Sequence, residues 1–479
     1  MIRRLGAIGT AALLAGCATV GPNYQRPQAA VAEKPTATGQ FVSGNDAKLF
    51  ALKPVPADWW RLYSDPVLDR LVADALTANT DLRVAAANIT RARAGVDVAR
   101  DATQPQFGLT AGPGYGQRSA EEELLPGAAL PSAFVYSAGA SVSYQVDLVG
   151  QVRRAIEAAN ADLAATQAAY DTVRVTVVAN TVGAYVDACA AGREVTIAQR
   201  ALALQARSTA LTRRLSQAGR GISLDVTRSL AQEAQVRATM PGLLAAKQVA
   251  LFRLATLTGR PPAEFDRAVA ACSEEPHLKR TIPIGDGAAL IRRRPDIRRA
   301  ELELHAATAR IGVAEGELYP KISLGASTGS VGLLENALRG DTYKFSLGPL
   351  ISWQFPNRGR VRARIASAQA EADADYARFD GAVLGALRET ESALTVYARD
   401  LDRAAALRQA REQATRAARD AETLFRAGRT SFLPVLDAQR TQIGTEQSLA
   451  AAESRIAADQ VQLFLALGGG WARPGSEVG

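Results

Sequence analysis

Two long stretches of the chain share one pattern of apolar and polar positions. Residues 152–218 and 361–427 each run for 67 residues without proline, and an α-helix of that length would extend about 100 Å. A shift of 209 positions aligns them without a gap and places Thr181 on Thr390. Apolar or small residues recur at spacings of three and four, as in helices that pack lengthwise. The pattern predicts two very long antiparallel helices, each followed by a shorter one, over about residues 151–259 and 360–468.

Four shorter stretches alternate between apolar and polar residues, at about 106–117, 134–149, 321–331 and 343–355. Period two over this length predicts strands with one apolar and one polar face. Aromatic residues near both ends of the apolar face are typical of the two interfaces of a bilayer, whereas a half-buried sheet in a soluble protein is the alternative. The predicted lipid-facing aromatics are Phe134, Tyr136, Tyr144, Tyr343, Trp353 and Phe355.

The order of predicted elements occurs twice. Residues 294–317 repeat part of an earlier helical stretch at an offset of 215, which places Asp81 on Asp296 and Pro105 on Pro320. Each half reads helix, strand, loop, strand, long helix, turn, helix. The chain is therefore predicted to be a tandem duplication, with a first repeat at 57–272 and a second at 273–479.

The N-terminus has the pattern of a secretory signal. Arg3 and Arg4 precede a short apolar core, which ends in Leu-Ala-Gly-Cys at Cys17. This predicts a signal peptide at 1–16, and its ending resembles the bacterial lipobox, which implies cleavage before Cys17 and acylation of that cysteine. A plain signal peptide is the alternative. Residues 17–56 then form an extended, acylated tail. No later run approaches the ~20 apolar residues of a membrane helix, so membrane crossing is predicted to use strands.

Composition narrows the function further. The net charge of +8 falls to +6 without the two signal arginines, and no dense Lys/Arg run is present, so nucleic-acid binding has little support.

An oxidising compartment would allow a disulfide between Cys189 and Cys272, but two isolated buried thiols are the preferred prediction.

Candidate catalytic motifs are weak. Residues 325–329 match Gly-x-Ser-x-Gly, but they lie within an alternating strand, whereas the nucleophile motif needs a strand-to-helix turn. The chain has two histidines, His277 and His305, and no His/Cys cluster has metal-ligand spacing. We therefore predict a protein that is not an enzyme and has neither a metal nor a cofactor, apart from the covalent lipid.

Several motifs carry a family resemblance. They are the lipobox, Trp59-Trp60, Arg294-Pro295-Asp296-Ile297-Arg298, Tyr319-Pro320-Lys321-Ile322, Arg426-Ala427-Gly428 and Leu436-Asp437-Ala438-Gln439-Arg440. With them, the sequence resembles the TolC-like outer-membrane factor family, in its NodT-type efflux lipoprotein branch. Because four strands cannot close a barrel in lipid, three copies would give a barrel of about twelve. The resemblance implies a mainly helical homotrimer, with a twelve-stranded transmembrane β-barrel continued by a periplasmic α-barrel.

The resemblance also implies a location and partners. The chain would be a lipid-anchored protein of a Gram-negative outer membrane that extends into the periplasm. It would be the passive exit duct of a tripartite efflux system, working with a periplasmic adaptor (a membrane fusion protein) and an RND-type inner-membrane transporter. The alternatives are a type I protein-secretion duct and a non-conducting structural lipoprotein that spans the periplasm.

Each long stretch ends in Ala-Gly-Arg, where a turn reverses the chain. In the family, adaptors dock at these turns, and rings of charged side chains close the tip. The resemblance therefore predicts docking at Gly219, Arg220, Gly428 and Arg429. It predicts a gate at Arg419, Asp420, Glu422 and Arg426, for which a solvated helix face is the alternative.

Overall fold

The computed structural model describes residues 19–117, 119–121, 125–278, 281–337, 339–353 and 358–471. Within these ranges the helices are α1 (Pro35–Thr38), α2 (Pro66–Ala78), α3 (Thr80–Asp101), α4 (Gln151–Gln217), α5 (Ser223–Leu257), α6 (Arg267–Ala270), α7 (Gly287–Arg293), α8 (Pro295–Gly316), α9 (Arg358–Arg426) and α10 (Phe432–Ala466). The strands are β1 (Phe50–Ala51), β2 (Gln106–Gly116), β3 (Ala133–Val146), β4 (Ile282–Pro283), β5 (Lys321–Leu333) and β6 (Tyr343–Ser352). Cys17 and Phe355 lie outside the described residues.

The two long helices are present, as the periodicity predicts. Helix α4 has 67 residues and α9 has 69, and each is followed by a helix of 35 residues. The carboxylate of Asp147 starts α4 by accepting hydrogen bonds from the amides of Val152 (3.1 Å) and Arg153 (3.0 Å). Two residues after the end of each long helix lies a glycine in the left-handed region, Gly219 (φ +69°) and Gly428 (φ +70°). Glycine adopts this conformation without steric cost, so the chain can reverse there.

The element order α3, β2, β3, α4, α5 recurs as α8, β5, β6, α9, α10. The folded chain nevertheless forms two compact units that each draw on both halves of the sequence. The first unit comprises Met1–Arg26, Ile89–Thr166 and Ala300–Phe379, and the second comprises Pro27–Asn88, Gln167–Arg299 and Asp380–Gly479. Strand pairing explains the mixing, because β3 of one half pairs with β5 of the other.

The first unit contains an antiparallel sheet in the order β2-β3-β5-β6. In the same unit, α8 packs against α9 through Ala307, Ile311 and Ala372. The buried guanidinium of Arg154 holds the N-terminal segment, because its Nε donates to the carbonyl of Val20 (2.9 Å) and its Nη2 to that of Gly21 (3.0 Å).

The second unit is built around helices packed by aromatic and small side chains. The ring of Trp59 stacks on Phe464 with the ring centroids 4.5 Å apart. Farther along, Ala201 of α4, Val236 of α5 and Ile443 of α10 form one buried cluster. Alanine at such positions lets helix backbones come close together, which explains the alanine-rich seam of the long stretches.

Cys189 and Cys272 form a disulfide, with their Cα atoms 4.9 Å apart. The prediction of two isolated thiols is therefore wrong. The segment after α6 comes so close to α4 that a Cβ built on Gly192 would lie 2.1 Å from the carbonyl oxygen of Cys272. The two cysteines are 83 residues apart in sequence, so only this close approach could reveal the bond.

Helix α4 also corrects the prediction about apolar runs. Among the described helices, it is the one that contains a window apolar enough, by length and composition, to cross a membrane. However, 78% of that window is buried inside the protein. The apolar residues of α4 therefore contribute to the helical core.

Candidate functional site

The register of the sheet separates apolar from polar residues across all four strands. One row joins Phe107, Val142, Ala326 and Leu347. The next row joins Gly108, Ser141, Ser327 and Ser346, and the hydroxyl oxygens of Ser327 and Ser346 are 2.8 Å apart. Because paired residues of antiparallel strands share a face, the predicted alternation is confirmed, and the sheet has one apolar face and one face of serine and glycine.

Much of the apolar face is uncovered. Phe107 is 83% exposed and Phe345 is 86% exposed, and Leu109 and Leu347 on the same face are comparably open. Exposed apolar patches of this extent are typical of surfaces that meet a lipid or a protein partner. Four of the predicted aromatics are also exposed, namely Phe134, Tyr144, Tyr343 and Trp353.

Tyr136 is much less exposed than the other predicted lipid-facing aromatics that the structure describes. It lies in the apolar row with Pro113 and Gly332, but its side chain is buried, at 9% exposure. Its hydroxyl is 2.5 Å from the Oγ of Ser330 and donates to the Oγ1 of Thr342 (3.2 Å). Thr342 belongs to the short turn Gly340–Thr342 directly before β6. The ring is therefore buried within the chain, and its contact with lipid stays a prediction.

The two helix turns with the Ala-Gly-Arg motif meet at one cavity of about 690 Å³. Arg220 and Gly428 line this cavity, which we call the tip cavity, together with Leu215, Ile222 and Phe432. The turns are held in place partly by Phe425 and Phe432, whose ring centroids are 5.5 Å apart. Two turns more than 200 residues apart in sequence are thus brought together, with Arg220 and Gly428 of the predicted docking residues at the cavity.

The predicted gate residues occupy the last turns of α9. Glu422 and Arg426 form an ion pair of 2.5 Å within the helix, and Arg426 also lines the tip cavity. Arg419 and Asp420 are exposed. The structure therefore brings together two of the four predicted residues, and it places all four on the helix end beside the tip cavity.

A buried charge network that the sequence did not reveal joins α4, α9, α10 and the segment after α6. Arg193 of α4 donates to the fully buried carboxylate of Glu275 (3.0 Å) and to Glu453 of α10. Arg408 of α9 reaches the other oxygen of Glu453 at 3.2 Å, and Ser454 donates to Glu275 at 2.9 Å. Burial by itself raises the pKa of the Glu453 carboxyl, but its bonds with Arg193 and Arg408 outweigh burial and hold that pKa below its usual value.

The described residues contain no group of three or more His, Cys, Asp or Glu side chains placed to hold a metal ion. The notable surfaces of the described residues are the exposed apolar face of the sheet and the charged end of α9 beside the tip cavity.

Comparison with known proteins shows which family the chain is similar to. A family model described as "Outer membrane efflux protein" matches residues 71–260 and 288–469, which is more than half of the chain. Nodulation protein T of Rhizobium leguminosarum bv. trifolii is 31% identical over 460 residues, covering 96% of each chain. Outer membrane protein OprJ of Pseudomonas aeruginosa is 30% identical over 474 residues, covering 98% of this chain and 97% of OprJ.

A solved structure extends the similarity to the fold. The structure of the outer-membrane channel OprN is 34% identical and superposes with a TM-score of 0.86, covering 94% of this chain and 99% of that chain. The long helices and the few strands described above therefore match those of an outer-membrane channel.

Proposed function

Because the chain belongs to the outer membrane efflux protein family, we propose that it is the exit duct of a tripartite efflux pump. It is an outer-membrane channel protein, like the relatives that it matches over nearly their whole length. The observation that carries the proposal is the sheet register, which places apolar residues on one face of four strands and Ser and Gly on the other. This is the arrangement of a barrel with lipid outside and water inside.

The functional unit in this proposal is a homotrimer. Strands β2 and β6 are the edges of the four-stranded sheet, and open edges are not tolerated within lipid. Three copies supply about twelve strands, an even number within the usual bacterial range. The helices of the three copies would continue the barrel as a periplasmic α-barrel, with the repeats 57–272 and 273–479 contributing equivalent helix pairs.

A passive duct has no energy source of its own, so the proposal includes partner proteins. Driving energy would come from an RND-type inner-membrane transporter and reach the channel through a periplasmic adaptor. Adaptor docking is proposed at Gly219, Arg220, Gly428 and Arg429; the tip cavity supports it because Arg220 and Gly428, one from each turn, line it. Arg419, Asp420, Glu422 and Arg426 would close the same tip.

The membrane anchor in this proposal is an acyl group on Cys17. The support is the lipobox that ends at this cysteine.

Conductance tests the proposal directly. Purified full-length protein reconstituted into planar bilayers should show stepwise ion conductance, and crosslinking should yield trimers. A stable protein that inserts but does not conduct would instead support the structural tether. A deletion strain that becomes sensitive to small drugs or solvents but secretes its proteins normally would favour efflux over the type I secretion duct.

A further inference from the structure

A cavity of about 470 Å³ in the second unit lies beside α7. Its wall is mainly apolar, and its larger apolar side chains include Val55, Ile284, Leu290, Leu467 and Trp471. The charged groups among its described lining residues are two arginines, Arg292 and Arg293. The volume is within the range of small-molecule sites, which are typically apolar with a few placed polar groups.

Arg293 is partly buried and has no carboxylate partner among the described residues. Its Nε donates to the carbonyl of Gly468 (3.1 Å) and its Nη2 to that of Pro56 (3.2 Å), and both acceptors are neutral. Burial lowers the pKa of Arg293 to about 10. A buried charge that lacks a counter-ion gains stability from any anion that can reach it.

The neighbouring residue, Arg294, is an arginine whose charge is balanced by acids. Arg294 donates to Asp296 at 2.6 Å and to Glu389 at 2.9 Å. Burial lowers the pKa of Arg294, but the bonds to these acids outweigh burial and raise it. Arg294 thus has acid partners among the described residues, whereas the adjacent Arg293 has none.

We propose that this cavity binds an amphipathic monocarboxylate, with its carboxylate on the guanidinium of Arg293 and its apolar chain against Val55, Ile284, Leu467 and Trp471. One partly buried arginine without an acid partner matches a single negative charge. Guanidinium and carboxylate groups form short, charge-assisted hydrogen bonds. The apolar wall accounts for the rest of the ligand. Arg292, exposed at the cavity, adds a second cation near the head group.

A brominated fatty acid can report binding through tryptophan quenching. The full-length protein in lipid nanodiscs would be titrated with 11-bromoundecanoate, in a Trp353→Phe background that removes the exposed tryptophan of the first unit. We expect saturable quenching, because Trp471 forms part of the wall. The neutral alcohol 11-bromoundecanol should require a concentration at least about tenfold higher, since it lacks the charged hydrogen bond to Arg293.

Two variants of α7 separate binding in the cavity from partition into lipid. Ala289→Phe fills the cavity and should abolish saturation, whereas Ala288→Phe, on the same helix but not lining the cavity, should leave it unchanged. Arg293→Gln should weaken binding about tenfold or more. If Arg293→Gln does not fold, the comparison of Ala289→Phe with Ala288→Phe still shows whether the probe binds in the cavity.

Three results would overturn the proposal. Equal quenching by the acid and the alcohol would show simple partition. Unchanged quenching in Ala289→Phe would place the probe elsewhere. Stronger binding in Glu477→Gln would show that the acid of this chain beyond Trp471 is the natural partner of Arg293, and no external ligand would be needed.

Discussion

Cys189 and Cys272 join the middle of α4 to the segment after α6 through a disulfide. Three residues beyond Cys272, the buried carboxylate of Glu275 bonds to Arg193 of α4 and to Ser454 of α10. A covalent bond and an ion pair therefore hold the same segment against the same helix. Since Glu453 links Arg193 onward to Arg408, the segment is also connected to α9.

Removal of the disulfide should destabilise the chain. The Cys189→Ala/Cys272→Ala variant is expected to lose about 2–5 kcal/mol in its free energy of unfolding, because the unfolded chain is no longer constrained. Urea unfolding of the purified protein measures this loss. Dithiothreitol should lower the midpoint of the wild type but not that of the variant. Equal midpoints for the oxidised wild type and the variant would contradict the prediction.

Charge on the two faces of the sheet should have unequal effects. Val142→Arg places a cation in the centre of the apolar face and should cost about 2–4 kcal/mol at the bilayer midplane. Ser141→Arg, one residue away, points to the Ser/Gly face and should cost much less. The yield of folded trimer after refolding into lipid vesicles compares the two. Equal losses would show that the lipid-facing side is wrongly assigned.

The tip acids should influence conductance. The Asp420→Ala/Glu422→Ala variant leaves the cations Arg419 and Arg426 at the helix end without these two acids, so a tip closed by acid–base pairs between copies should loosen. We expect higher single-channel conductance and greater sensitivity to vancomycin. The trimer should persist, because exposed ion pairs contribute little to stability. Glu412→Ala, an exposed acid farther from the turn, is the matched control. Wild-type conductance in an intact double variant would place the gate elsewhere.

Stability should depend on pH through Asp459. Burial, together with the neighbouring carboxyl of Asp400, raises the pKa of Asp459 to about 7, against a smaller lowering by Arg455. A carboxyl whose pKa is raised by folding favours the folded state at low pH, and this contribution is lost as the pH rises through about 7. The unfolding temperature of the wild type should therefore fall relative to Asp459→Asn between about pH 5 and 8. Parallel pH profiles would contradict this expectation.

The lipid anchor should be separable from barrel insertion. Mass spectrometry of the mature protein should find an acylated Cys17 at the N-terminus. Cys17→Ser should lack the acyl group yet still insert, because strands and not acyl chains would span the membrane. An unmodified N-terminal residue in the wild type would contradict the lipobox assignment.

Local repetition in the sequence was enough to predict the elements. Helix length, strand alternation and turn position depend on residues within a few places of each other, so the long helices and the turns at Gly219 and Gly428 could be predicted directly. The polar and apolar sides of the strands could be predicted for the same reason, as the row through Phe107 and Val142 shows.

Tertiary structure alone decided the features that join distant residues. Tyr136 has the alternation of a lipid-facing residue, yet it is buried and its hydroxyl bonds to Thr342, 206 positions away. Cys189 and Cys272 are separated by 83 residues, and Arg193 and Glu453 by 260. Arg293 and Arg294 are neighbours with the same side chain, but packing gives acids to one and an apolar cavity to the other. The sequence by itself determined the elements and their faces, because those depend on local spacing. The disulfide, the ion network and the cavity depend on which surfaces meet, and no local pattern records that.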